Sequence, residues 1–370
     1  MNAERVFEMV RKEFRQVFRD PRMRRVLFVA PLIQLVAFGY AVSTDVRDTR
    51  TFVVDNDGTR ASRELVDAFT ASGYFRVVGG SPRPADLVRA LDHGEALLGL
   101  VIPTGFSRDL EGGGPARVQL LFDGTSSNTA TVAQGYAERI IQSYATRHAP
   151  AQGPPPAVDL RSRAWYNPDL SSRVYNVPAV IGALLILICL LLTSLAIVRE
   201  REIGTLEQLL VSPLTPGELI LGKTIPFALI GLADLALITT LALLWFRIPF
   251  RGNPLLLLLA SVLYILTALG IGLFISTISR TQQEAFMAVF LIFMPTILLS
   301  GFMFPVTSMP EAFRWMTLIN PMRHYLEIVR GIFLKGAGMD ALWHQFLALA
   351  LMSVGILWLA SARFRRGAAG

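Results

Sequence analysis

The sequence predicts an α-helical polytopic membrane protein with six transmembrane helices and a small α/β domain inserted between the first two. Two observations predict this class. The chain of 370 residues is 52% hydrophobic and only 17% charged, which is far more apolar than a soluble protein of this length requires. Its apolar residues also gather in runs of about 20, the length that crosses a hydrocarbon core of roughly 30 Å.

The distribution of charge and the number of cysteines exclude two other features, a nucleic-acid-binding surface and an intrachain disulfide. The formal net charge is +7, but the basic residues cluster beside the apolar runs instead of forming one soluble patch. Such clusters orient spans in a membrane, so we expect no nucleic-acid partner. The single cysteine, Cys189, lies inside an apolar run. An intrachain disulfide is therefore excluded.

Residues 1–25 are predicted to form a cytoplasmic interfacial helix before a first transmembrane helix at 26–44. Within 4–19, apolar side chains occupy one helical face and charged side chains the opposite face, as in a helix that lies on a membrane surface. A helix that contacts a cytoplasmic partner would show the same pattern. Three arginines between residues 22 and 25 precede the first span, so the positive-inside rule places the N-terminus in the cytoplasm.

A polar segment at 45–173 is predicted to fold as a small extracytoplasmic α/β domain. Periodicities of two and of 3.6 residues alternate along it. The predicted strands are 51–54, 75–78, 97–102 and 118–122, and the predicted helices are 61–70, 85–91 and 129–144. This alternation is typical of α/β layers. A tract rich in proline and glycine at 149–156 is predicted to be a loop.

Residues 174–362 are predicted to hold the other five transmembrane helices. Their apolar runs lie at 174–198, 218–246, 255–276, 284–304 and 341–360. Residues 305–338 show two helical patterns, at 311–318 and 322–334, that are too short to cross a bilayer. We expect these short helices on the outer side. Arginines in the 363–370 tail place the C-terminus in the cytoplasm as well.

The charged stretch 199–223 separates two of these apolar runs. Ile203, Leu206 and Leu210 recur at helical spacing among polar residues. This pattern predicts a short amphipathic helix at 200–211, held between two membrane spans.

Residues 217–224 match the phosphate-binding pattern GxxxxGKT, but their context favours a helix start. Thr215 and Glu218 have the spacing of a capping box, with Pro216 at the first helical position. A phosphate-binding loop follows a buried strand and stays non-helical, whereas this stretch opens a long apolar run. We therefore expect no nucleotide site in this chain.

No catalytic, cofactor or metal site is predicted elsewhere. The four histidines lack the spacing of metal ligands, and no Gly-x-Ser-x-Gly nucleophile motif occurs. Asp234 is the one acid well inside a span, where a charge costs at least about 2.5–3.5 kcal/mol. It either faces a cavity or a partner, or is a protonated or paired structural residue. Glu284, at the start of the fifth span, is interpreted as an interfacial cap.

Several segments together resemble type-2 permease subunits of ATP-binding-cassette (ABC) exporters. The segments are 200–216 with Gly222 and Lys223, 276–285, 295–305, 320–336 and 165–168. The resemblance covers the whole chain. It is greatest to the branch with a large extracytoplasmic domain between the first two spans, which includes multidrug and sodium exporters.

The resemblance implies a permease that dimerises above two separate ATPase subunits. It also implies that 200–211 is the coupling helix, that the first, second and fifth spans line the path, and that 305–338 forms the outer gate. The coupling residues would be Glu200, Glu202, Ile203, Gly204, Leu206, Glu207 and Leu210. The path or gate candidates are Asp234, Pro295, Ser300, Gly301 and Pro305.

The expected function is that of a permease subunit, not an enzyme, in an ATP-driven exporter of the bacterial inner membrane. The cargo would be a drug, a lipid or another small hydrophobic or ionic molecule. Expected partners are ABC ATPase subunits, an identical or different second permease, membrane lipid and, in some systems, a periplasmic adaptor. The alternative is a mechanotransmitter, which uses ATP hydrolysis to drive an envelope partner and transports nothing itself.

Overall fold

The computed structural model of the protein describes residues 3–41, 48–112, 114–123, 127–148, 171–205 and 215–368. The chain divides into two compact units. We call Thr44–Arg163 the α/β unit, and Met1–Ser43 with Ala164–Gly370 the helical unit.

Helices and strands follow one another in the order expected. The N-terminal elements are α1 (Ala3–Arg19), α2 (Pro21–Arg24), a π-helical turn (Arg25–Val29) and α3 (Ala30–Ala41). The α/β unit contains β1 (Thr49–Asp55), α4 (Arg60–Ala71), β2 (Phe75–Gly80), α5 (Pro84–Asp92), β3 (Leu98–Ile102), α6 (Phe106–Glu111), β4 (Gln119–Phe122) and α7 (Ser127–His148). The remaining elements are α8 (Ser172–Glu202), α9 (Pro216–Leu244), α10 (Pro254–Ile278), α11 (Gln282–Leu298), a 3₁₀ turn (Val306–Ser308), α12 (Glu311–Thr317), α13 (Pro321–Arg330), a π-helical turn (Gly331–Lys335) and α14 (Met339–Ala368).

The α/β unit is built on a four-stranded sheet in the order β2-β1-β3-β4. Strand β1 pairs in parallel with β2 and β3, and β4 pairs antiparallel with β3. Strand β3 is buried along most of its length, and apolar residues of α4 and α7 pack in the same core. The predicted strands and helices of this segment are confirmed, whereas the short helix α6 was not expected. The loop predicted at 149–156 lies outside the described residues.

One carboxylate holds the loops at the end of this sheet together. Asp57, just after β1, accepts hydrogen bonds from the backbone N–H groups of Gly105 (2.8 Å) and Ser107 (3.1 Å), which follow β3. It also accepts from Thr59 Oγ1 at 2.6 Å. Desolvation opposes ionisation, but these hydrogen bonds keep the pKa of Asp57 below its ordinary value.

Within the described residues, the helical unit contains four helices that are long and apolar enough to cross a membrane. They are Ser172–Glu202, Gly217–Leu244, Pro254–Ile278 and Met339–Arg363, with shorter apolar helices at Arg25–Tyr40 and Gln282–Leu298. The helices at the first and fifth predicted spans are thus shorter than the expected 26–44 and 284–304. Helix α11 stops early because Gly301 takes a left-handed conformation (φ +81°), which ends a right-handed helix.

Helix α8 lies at the centre of the helical unit. It packs against α3, α9, α10, α11 and α13, and most of its residues are buried. Gly182 allows close packing there, since an added Cβ would lie 3.0 Å from the Tyr325 ring. Tyr264 donates a hydrogen bond to the Gly182 carbonyl at 3.1 Å and stacks on Tyr325. A displacement of α8 therefore acts directly on five neighbouring helices.

Candidate functional site at the ends of α8 and α9

The predicted coupling segment connects the end of α8 to the start of α9. Glu200 and Glu202 belong to the last turn of α8, whose C-cap is Ile203, and Gly204 follows with φ +79°. The segment is therefore not one continuous helix from residue 200, because a left-handed residue interrupts it. Ile203 is 63% exposed. The predicted coupling residues Leu206, Glu207 and Leu210 lie outside the described residues, and their role stays a prediction.

Four charged side chains form an ion cluster at this point, three of them buried and one, Lys12, 43% exposed. Lys223 Nζ lies 2.7 Å from Glu200 Oε2 and 3.0 Å from Glu13 Oε1. Lys12 Nζ lies 2.6 Å from Glu200 Oε1 and 3.3 Å from Glu13 Oε1. The side chains of Lys223, Glu13 and Glu200 are at most 6% exposed. The ion cluster of Lys12, Glu13, Glu200 and Lys223 thus joins α1, α8 and α9 through two positive and two negative charges.

Helix α1 enters this cluster through its buried face. Met9, Glu13 and Val17, spaced by one helical turn, are its buried residues. Met9 packs where α9 has Gly222, since a Cβ at that position would lie 2.5 Å from Met9 Cγ. The absence of a side chain at Gly222 lets α1 approach α9 closely, which brings Glu13 to Lys223.

The charge state of Lys12 follows from this geometry. Burial opposes its charge, but the hydrogen bond to Glu200 and the negative charge of Glu13 outweigh that cost and raise the pKa of Lys12 above its ordinary value. Lys12 is therefore charged throughout the physiological pH range.

The two residues after Glu200 contact two further helices. Arg201 Nη1 donates a hydrogen bond to the Ser279 carbonyl at 2.7 Å, at the end of α10. Glu202 accepts hydrogen bonds from the backbone N–H of Gln282, at 2.8 Å, and from its side-chain amide. We call Glu200, Arg201 and Glu202 the 200–202 junction. It connects the end of α8 with α1, α9, α10 and α11.

Lys223, the lysine of the GxxxxGKT match, is thus ion-paired with two carboxylates of its own chain. The match lies on helix α9, and Thr215 and Glu218 form a complete capping box at its start. A phosphate-binding lysine needs an open, non-helical loop around it, whereas Lys223 is 2% exposed. The interpretation of this stretch as a capped helix start is confirmed.

The predicted gate residues lie in and after α11. Pro295 is inside α11, and Ser300 is buried with its hydroxyl donating to the Ile297 carbonyl at 2.7 Å. The Gly301 carbonyl accepts a hydrogen bond from Arg330 Nη1 at 3.1 Å. Pro305 is exposed just before the 3₁₀ turn. The structure therefore ties the turn after α11 to the end of α13.

Asp234 lies apart from these residues, in the middle of α9. It is fully buried, and neither carboxylate oxygen has a hydrogen-bond partner in the part of the chain that the structure describes. Gly231, one turn earlier, faces the sulfur of Cys189 on α8. The surroundings of Asp234 thus offer no compensating charge among the described residues.

Replacing Asp234 by asparagine should leave the melting temperature of the purified protein unchanged or slightly higher. The amide keeps the shape of the side chain and removes the cost of burying an uncompensated charge. Thermal unfolding in detergent measures this, with Lys223→Met as a comparison that removes a compensated charge. A drop for Asp234→Asn as large as for Lys223→Met would reveal a charged partner and contradict the prediction.

Comparison with known proteins identifies the family. A model of the ABC-2 family transporter proteins matches residues 26–362. The chain belongs to this family. Two Escherichia coli (strain K12) proteins, named "Probable multidrug ABC transporter permease YbhR" and "Probable multidrug ABC transporter permease YbhS", are 35% identical over 362 residues and 34% identical over 370 residues, covering 98% of both chains in each case. "Inner membrane transport permease YhhJ" of the same organism is 27% identical over 373 residues, covering 98% of this chain and 97% of its own.

The chain is therefore an ABC-2 permease, and the resemblance to type-2 permeases is confirmed. With its apolar helices, it is a multi-pass membrane protein. The family implies a membrane subunit that dimerises and works with ABC ATPase subunits on separate chains.

Sequence reasoning missed most of the ion cluster and of the 200–202 junction. The residues missed were Lys12, Glu13, Arg201, Lys223 and Ser279 as partners in these contacts. Glu13 gave one sequence signal of a buried charge, because it lies one turn after Met9 and one turn before Val17 on an otherwise apolar face. Lys223 gave another, as a single charge two turns inside an apolar helix. Glu200, one of the predicted coupling residues, is enclosed by lysines of its own chain, and its role in coupling stays a prediction. The interpretation of Glu284 as a cap is confirmed, since it accepts from the Arg280 N–H at the start of α11.

Proposed function

We propose that this ABC-2 permease forms, as a dimer, the translocation path of an ATP-driven exporter and receives the movement of its ATPase subunits through residues 200–211. One observation carries the proposal. Three consecutive residues, the 200–202 junction, contact α1, α9, α10 and α11. A push on the segment that follows would therefore reach four helices beside α8 at once. In this proposal Glu200 positions the segment, while Ile203 and the residues after Gly204 contact the ATPase.

The proposed cargo is a small hydrophobic or ionic molecule such as a drug or a lipid. The names of the YbhR and YbhS relatives, which describe multidrug permeases, support this class. Helix α14 also presents exposed apolar side chains between Trp343 and Trp358. Such a face, with tryptophans near both ends, suits contact with membrane lipid.

The proposed topology has both termini in the cytoplasm of a bacterial inner membrane and the α/β unit outside. A cysteine introduced as Asp92→Cys, on the α/β unit, should react with a membrane-impermeant maleimide in intact cells. Gln16→Cys, on α1, should react only after permeabilisation. Both sites are exposed, and the native Cys189 is fully buried and gives little background. Labelling of Gln16→Cys in intact cells would contradict the topology.

Transport in reconstituted vesicles tests the export function. Vesicles that contain the permease and its ATPase should accumulate cargo when ATP is supplied. ATP hydrolysis without flux of a panel of drugs and lipids would contradict the exporter and favour a mechanotransmitter.

One structural feature favours the mechanotransmitter. The α/β unit has an open cavity of about 650 Å³, lined by residues of α4 and α7 with Tyr74, which offers a surface for an envelope partner.

A further inference from the structure

Arg330 connects three segments of the helical unit. It is the last residue of α13, and its guanidinium carbon lies 3.7 Å from the ring centroid of Tyr175 in the first turn of α8. Its Nη1 donates to the Gly301 carbonyl, in the turn after α11, at 3.1 Å. Arg330 thus lies where the predicted gate residues meet the start of the central helix.

The positive charge of Arg330 is only partly compensated. Tyr175 and the charge of Glu327, one turn earlier, favour the charged guanidinium, but the Glu327 carboxylate accepts its hydrogen bonds from Arg323 at 3.4 Å and Gln345 at 2.8 Å. The enclosed Nε and Nη2 atoms of Arg330 make no hydrogen bond that meets standard geometry among the described residues. The Tyr175 ring attracts the cation but supplies no anion. A buried guanidinium with unused donors is costly unless a negatively charged group pairs with it.

A second arginine lies on the same turn of α8. Arg173, two residues before Tyr175, has its guanidinium carbon 5.3 Å from the ring centroid of Tyr40. Its Nε is also buried without a partner in the described part of the chain. Two arginines therefore lie near one end of α8, each beside a tyrosine ring and each with a buried donor unused.

We propose that Arg330, beside Tyr175, recognises a phosphate or carboxylate group of an amphiphilic molecule at this end of α8. The planar guanidinium can donate two parallel hydrogen bonds to such a group, and the unused Nε and Nη2 atoms are adjacent donors of the required kind. The Gly301 carbonyl accepts only from Nη1, so binding of the anion by Nε and Nη2 can leave that hydrogen bond in place. Because these two atoms are enclosed, a neighbouring side chain or turn has to move to admit the anion. That this molecule is cargo rests on the proposed export function.

Binding to the full-length permease in nanodiscs of uncharged lipid tests the proposal without ATPase or transport. Dodecyl phosphate should bind more tightly than dodecyltrimethylammonium, which has the same chain and the opposite charge. Arg330→Gln should weaken dodecyl phosphate binding roughly 10- to 100-fold, and Arg330→Lys should weaken it less. Arg251→Gln, which replaces an exposed arginine, serves as the control and should not change binding.

Two further comparisons decide the source of the anion. Competition by phosphatidylglycerol but not by inorganic phosphate would assign the site to anionic amphiphiles, lipids included, whereas competition by both would show that a free anion suffices. An unchanged affinity in Arg330→Gln overturns the proposal. If that variant does not fold, equal binding of the anionic and cationic detergents to the unaltered protein overturns it. Since none of these measurements needs ATP, they can succeed even where vesicle transport fails, and failure here leaves the exporter proposal intact.

Discussion

Lys223→Met should destabilise the helical unit by about 3–5 kcal/mol, the usual cost of removing one partner from a buried ion pair. Methionine fills a similar volume, but Glu13 and Glu200 would then share only the charge of Lys12. The melting temperature of the purified permease in detergent measures the effect. The double variant Glu13→Gln with Lys223→Met should recover most of the loss, because it leaves the Lys12 and Glu200 pair balanced.

An exposed ion pair on α1, the helix that carries Lys12 and Glu13, provides the control for the ion cluster. Arg11 and Glu8 lie 3.5 Å apart with both side chains at least half exposed, so Arg11→Gln should cost less than about 1 kcal/mol. Equal melting temperatures for Lys223→Met and Arg11→Gln would show that the cluster contributes little to stability.

Replacing Glu202 and Leu206 together by alanine should uncouple ATP hydrolysis from transport. We expect transport per ATP hydrolysed to fall far below that of the unaltered permease, while ATP hydrolysis continues. The protein should still fold, since Glu202 is exposed and its hydrogen bonds to Gln282 lie at the surface. Flux and hydrolysis are measured together in vesicles that contain the ATPase.

Gln282→Ala separates two explanations of that result. It removes the hydrogen bond from the side-chain amide of residue 282 to Glu202, keeps the backbone N–H that also donates to Glu202, and leaves Glu202 and Leu206 in place. A comparable loss in Gln282→Ala would assign the coupling to this side-chain contact between α8 and α11, whereas normal coupling would show that the amide contact is not needed and would favour contact with the ATPase. Coupled transport in the double variant would refute the role of 200–211.

Local signals made most of the fold predictable. The capping box of Thr215 and Glu218 marks the start of α9, and apolar runs mark the long helices, because both depend on residues close together in sequence. The early end of α11 was not predictable in the same way. Phe302, Met303 and Phe304 continue the apolar run, and hydropathy alone does not show that Gly301 turns the chain.

The candidate site was only partly predictable, since its contacts join residues that are far apart in the sequence. The pattern at 199–223 marked the segment and the family. It did not show that Glu13 and Lys223 lie 3.0 Å apart, because that contact depends on how α1 packs against Gly222. Arg330 and Tyr175 were likewise not paired in advance, since residues 155 positions apart give no periodic signal.

The left-handed Gly204 has a mechanical consequence for the proposed coupling. On its N-terminal side, the 200–202 junction contacts α1, α9, α10 and α11, and Thr205 on the other side donates a hydrogen bond back to the Glu200 carbonyl at 3.3 Å. Gly204 is therefore a fixed bend and not a loose joint. In the proposed coupling, its left-handed conformation would set the direction from which a push by the ATPase reaches α8.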